Sequence, residues 1–96
     1  MMTRILSLAA LLAALALPAS ADCYADYKAK QDDPLRLHYG VIALPEAACG
    51  GTAQAEPEIA DRIAVGGWTL LRVVRIFGED GLEKRKARAG EFFLRY

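Results

Sequence analysis

The chain has 96 residues, with 12 lysines and arginines against 12 aspartates and glutamates, for a formal net charge of zero at pH 7. Near neutrality argues against general nucleic-acid binding, which needs a basic surface, and the length allows one small domain at most. A chain this short buries a marginal core and often needs a crosslink.

Met1 to Ala21 carries the three parts of a secretory signal: Arg4 at the start, an uncharged apolar run from Ile5 to Leu17, and the small-residue site Ala19-Ser20-Ala21. The apolar run is shorter than the ~20 residues of a membrane span. Removal of 1–21 leaves residues 22–96 with no transmembrane span. One acid is in excess, because the leader takes Arg4 and no carboxylate. Asp22 stands before Cys23 where a lipid-attachment signal needs a small residue, so a soluble exported protein is expected, periplasmic in a Gram-negative bacterium and secreted otherwise. Cys23 and Cys49 are the only cysteines. An even count in an exported chain reads as a disulfide. No Cys-x-x-Cys pair or close Cys/His cluster points to redox chemistry or a metal.

Asp22 to Asp33 reads as a short helix, with Tyr24 and Tyr27 three apart, Asp22 as cap and Pro34 forcing its end. Asp22, Asp26, Asp32 and Asp33 lack the spacing and glycine of a calcium loop. Leu35 to Leu44 alternates and predicts a half-buried strand with Leu35, Leu37, Tyr39, Val41 and Ala43 on its apolar face. His38, the only histidine, falls opposite that face and is expected to be exposed. Pro45 to Ala55 is a small-residue connection. Glu56-Pro57-Glu58 then opens a helix that buries Ile59 and Ile63, with Ala60 and Ala64 beside them, and ends at Gly66.

Trp68 to Phe77 contains the only tryptophan and the longest apolar run after the leader. Thr69, Arg72 and Arg75 recur at every third position, which a helix could place on one side. The Gly66-Gly67 break and the β-branched Val73, Val74 and Ile76 favour a strand. Two mostly apolar faces make it a central one, with Trp68 in the core. Gly78 to Gly81 is a turn, Leu82 to Ala89 a charged connection, and Gly90 to Tyr96 a closing strand. The class predicted is α+β: a short N-terminal helix, then β-α-β-β, with one helix on a three-stranded sheet. The crossover rule makes strands 35–44 and 68–77 parallel.

The run Ile63-Ala64-Val65-Gly66-Gly67-Trp68-Thr69-Leu70-Leu71-Arg72-Val73, with Phe92-Phe93-Leu94-Arg95 after a glycine turn, resembles a small bacterial β-α-β-β domain family of unknown function that carries a Gly-Trp-x-Leu strand. Thr69 stands where that family has an acid. The resemblance covers about the last 40 residues and implies a fold, with no catalytic residues.

Both serines, Ser7 and Ser20, lie in the leader, so residues 22–96 lack a serine nucleophile. Neither a phosphate-cradling glycine loop nor any other cofactor motif is present. The basic group Lys84, Arg85, Lys86 and Arg88 is the surface feature suited to an anionic partner, an envelope protein or polymer. A non-catalytic binding or accessory module is therefore the expected function. The alternative is a metal-dependent protein or enzyme using His38 and nearby acids.

Overall fold

Cys23–Gln31, expected to be helical, is a β-strand (β1), and it occupies the centre of the sheet. The computed structural model describes residues 21–96; apart from Ala21, the signal-peptide reading lies outside the described residues. β1 alternates strictly on the face toward the core: Cys23, Ala25, Tyr27 and Ala29 are buried, with Lys28 exposed between the last two. Its core residues are mostly small, so the period of two is easily missed, whereas the spacing of Tyr24 and Tyr27 imitates a helix turn. Pro34, read as a helix stop, sits in the hairpin turn at a cis Asp33–Pro34 bond.

Arg36–Leu44 forms β2, antiparallel to β1 from Cys23↔Leu44 to Gln31↔Arg36. Thr69–Phe77 forms β3, also antiparallel to β1, and the sheet order is β2-β1-β3. The strand expected at the centre is thus at an edge. β2 and β3 do run in the same direction, as the crossover rule requires, but β1 lies between them. A chain whose first strand occupies the middle gives both later strands a partner.

Thr52–Ala64 forms helix α1, which packs mainly on β3 and buries Ala55, Ile59 and Ile63 at four-residue spacing. It begins before the expected Glu56, leaving Pro57 inside its second turn. Proline cannot donate to the carbonyl four residues back, here that of the exposed Ala53. Ile42, Leu44, Tyr27, Val73 and Trp68 complete the core beneath α1.

The expected connection after Phe77 is helical. A 3-10 turn at Glu79–Gly81 leads into helix α2, Glu83–Ala89, which packs on β2. The described residues therefore form two α-helices, with α2 covering part of the sheet face opposite α1. The expected closing strand is a 3-10 turn at Gly90–Phe92 followed by one parallel bridge, Val41↔Phe93. There Leu94 N–H donates to Val41 O at 2.8 Å. Arg62 of α1 fastens this segment, donating to the main-chain oxygens of Ala43 and Tyr96, each at 2.6 Å.

The expected crosslink is present: Cys23 and Cys49 form a disulfide that ties the start of β1 to the loop before α1. Among the described residues no helix is long and apolar enough to cross a membrane.

Candidate functional site

The register of β3 explains its polar period. Pairing with β1 runs Asp26↔Arg75, Tyr27↔Val73, Lys28↔Arg72, Ala29↔Leu70 and Lys30↔Thr69, with shifts between Asp26/Tyr27 and Lys28/Ala29. Val74 and Leu71 are therefore extra residues, each bulged out of the ladder. A strand bulged at alternate turns repeats every three residues, so Leu70, Val73 and Ile76 share the α1 face. Thr69, Arg72 and Arg75 share the other face with Lys28 and Lys30, because residues directly opposite on adjacent strands point the same way.

The second sheet face thus gathers cations that lie far apart in the sequence. Lys28, Arg72 and Arg75 are exposed. Among the described residues, the ion pairs are Lys30–Asp32, Arg62–Glu58 and Arg85–Asp26, so these three cations have no carboxylate partner. Arg88 of α2 stacks over the Tyr39 ring at 4.0 Å, and Tyr39 is the cross-strand partner of Lys28. Arg88, Lys28 and Arg72 therefore form a row across the strands. Beside it lies an apolar groove of about 270 Å³ bordered by Leu37, Tyr39, Leu71 and the Lys28 stem. On the opposite side of the sheet α1 carries Glu56, Glu58 and Asp61, with Arg62 paired to Glu58.

The expected basic group divides by role. Lys84, Lys86 and Arg88 are exposed. Arg85 turns inward: Nε donates to Asp26 Oδ2 at 3.0 Å, Nη1 donates to Gly81 O at 2.7 Å, and the guanidinium lies 3.9 Å from the Phe77 ring centroid. Tyr39 also donates to Asp26 Oδ2, at 2.8 Å. Burial, reinforced by that bond to the carboxylate, pushes the Tyr39 hydroxyl up to about 12. Asp26 Oδ1 is buried without a hydrogen-bond partner.

His38 is not exposed, contrary to expectation; it is 8% accessible and points into the core. The reason is Gly40. A Cβ there would lie 2.5 Å from the Tyr27 ring, so the glycine is what lets Tyr27 lie across β2. That phase puts His38, Gly40, Ile42 and Leu44 on the core face and leaves Leu35 and Leu37 exposed. His38 stacks on Phe92 with ring centroids 3.7 Å apart, meets Trp68 edge-on at 4.2 Å, and shares a 2.9 Å hydrogen bond between Nε2 and Tyr27 Oη. Nδ1 has no partner. Burial lowers the imidazole to about 4; nearby Glu91 opposes this and Arg95 adds to it. The Tyr27 hydroxyl is raised well above its ordinary value, first by burial and then by the neighbouring Tyr96. Among the described residues no three His, Cys, Asp or Glu side chains come together as a metal would require.

Beside this cage, on the α1 side of the sheet, lies a cleft of about 250 Å³ that sequence reasoning missed, lined by Gln31, Arg36, Gly66, Trp68, Glu91, Phe92, Arg95 and Tyr96. Its walls are braced. Gln31 Nε2 donates to Gly66 O at 3.0 Å, and a Cβ on Gly66 would collide with the Tyr96 hydroxyl. Leu94 has φ 58°, a left-handed conformation that costs a leucine about 1–2 kcal/mol. No short-range pattern could have revealed a site whose residues come from both hairpin strands, the α1–β3 turn and the last segment.

Fold and surface together define a disulfide-linked α+β domain with one open basic sheet face. The chain matches no family model, no curated protein and no solved structure.

Proposed function

We propose that residues 22–96 are an exported, non-catalytic binding module that holds an anionic polymer of the cell envelope against the open face of the sheet. The observation that carries this reading is the row of cations without carboxylate partners, Arg88, Lys28 and Arg72, with Arg75 beside it. Neighbouring positions along such a row are ~5 Å apart across strands, a spacing suited to repeated negative charges. Lys84 and Lys86 extend the positive field from α2, while Arg85 serves the fold. Export is proposed from the leader and is supported by the disulfide, since such bonds persist in oxidising compartments. Kinship with the Gly-Trp-x-Leu domain family is proposed from the Gly66-Gly67-Trp68 run. His38, enclosed by aromatic rings, is assigned a packing role.

Retention on immobilised dextran sulfate tests the reading. Wild type should bind and should elute as salt rises, because exposed charges are screened over ~8–10 Å at physiological ionic strength. Lys28→Glu/Arg72→Glu/Arg75→Glu should abolish retention, and Lys84→Glu/Lys86→Glu should weaken it. Equal retention of all three proteins would sink the proposal. Capture of an acidic protein by wild type, with no retention on the polymer, would replace the polymer by a protein partner.

A further inference from the structure

The braced cleft on the α1 side holds two guanidiniums, Arg36 and Arg95, that no carboxylate pairs among the described residues. Arg36 lies 5.8 Å from the Trp68 ring centroid; Arg95 lies 5.7 Å from that of Phe92 and 5.8 Å from that of Tyr96. Phe92 meets Trp68 edge-on at 5.4 Å and stacks with Tyr96 at 6.5 Å, so the two cations border one aromatic cluster, each over a different ring face. Neither has an ion pair or a side-chain hydrogen bond among the described residues. Among the side chains of the lining, the two arginines face one carboxylate, Glu91.

Three features hold the cleft ready before any ligand arrives. Gly66 lets Tyr96 approach, Arg62 grips the main-chain oxygen of Tyr96, and the left-handed Leu94 turns the chain between Phe92 and Tyr96. A backbone held in an unfavourable conformation beside a pocket is the pattern found at ligand clamps. Arginine's planar fork matches a carboxylate in two parallel bonds and also lies flat on aromatic rings.

We propose that this cleft binds a small aromatic monocarboxylate, its carboxylate held by Arg36 and Arg95 and its ring against Phe92 and Tyr96. The cleft's volume of about 250 Å³ suits one such molecule. It lies on the face opposite the basic row, so the two sites act independently.

Benzoate is the probe, benzamide its uncharged counterpart, and fluorescence of the single tryptophan, Trp68, the readout, with calorimetry beside it. Benzoate should give a saturable change with a dissociation constant on the order of millimolar or tighter, and benzamide should bind at least about tenfold more weakly. Arg36→Gln and Arg95→Gln alter exposed side chains and should keep the fold while each weakens benzoate about tenfold or more. Arg72→Gln, on the other face, should leave benzoate binding unchanged. Absence of saturable binding overturns the proposal. So does benzamide binding as well as benzoate, or wild-type affinity in both cleft variants.

Discussion

Arg85→Met isolates the structural role of the one inward-turned cation of the basic group. The side chains of Asp26 and Arg85 are only 5% and 12% accessible. Methionine keeps the apolar stem against Phe77 but removes the guanidinium from Asp26 and from the Gly81 carbonyl. The Asp26 carboxylate would remain buried with Tyr39 as its single donor, its Oδ1 already lacking one. An exposed ion pair is worth ~0.2–1 kcal/mol, whereas breaking a buried one costs ~3–5 kcal/mol because the remaining charge is stranded. The whole domain has about 4–11 kcal/mol at ~0.05–0.15 kcal/mol per residue, so the variant should be near the limit of folding. Urea unfolding with the disulfide intact measures the loss, and Lys86→Met serves as the exposed control. Asp26→Leu combined with Arg85→Met should recover ~2 kcal/mol relative to the sum of the single changes, since no charge is then left behind. A loss below about 1 kcal/mol for Arg85→Met, equal to the control, would refute the reasoning and show the pair to be hydrated in solution.

Reduction of Cys23–Cys49, or Cys49→Ala, should remove about 3.5 kcal/mol by the loop-entropy relation for a separation of 26 residues, read as a lowered melting temperature under reducing conditions. Gly40→Ala should cost ~1–3 kcal/mol in urea melts, because the added methyl meets the Tyr27 ring and the paired strand leaves little room to yield. His38 gives a pH dependence of definite sign. Its folded-state value of about 4 lies below the ordinary 6.5, so the unfolded chain binds the proton more readily. The stability that neutral His38 contributes is complete above pH 6.5 and falls as the pH drops from there toward 4, by at most ~1.4 kcal/mol per pH unit. His38→Phe should flatten that segment of a stability–pH curve, and an unchanged slope would remove His38 as its source.

The α+β class, the disulfide, the buried Trp68 and the buried Ile59 and Ile63 of α1 were legible in the sequence because each rests on a local or compositional signal. The sheet order was not. β1 carries Asp26, Lys28 and Lys30 on one face and, apart from Tyr27, mostly small residues on the core face, so it lacks the run of large alternating apolar side chains that announces a strand. The third-residue period of Thr69, Arg72 and Arg75 was visible, but its cause, two bulges, depends on a partner strand that sequence cannot supply. His38 was misplaced for a related reason. Leu35 and Leu37 outweigh Gly40 in any hydrophobic count, yet the Tyr27 ring needs the space above Gly40, and that contact decides which face is buried. Of the basic group, sequence could give the charge but not the direction in which Arg85 turns. The cleft between Arg36 and Arg95 stayed hidden because its residues meet only after the last segment crosses β2.

The bulges and that crossing segment have a shared consequence for solution behaviour. A three-stranded sheet exposes two rims of unpaired backbone, each a template on which another chain can add. Here one rim, that of β2, is occupied where Leu94 N–H meets Val41 O. The other, that of β3, is kinked at Leu71 and Val74 and carries the charges of Arg72 and Arg75. Neither rim offers the flat, uncharged line of donors and acceptors that fibril growth requires. Both features work against ordered self-association in a domain that displays leucines at Leu35, Leu37 and Leu71.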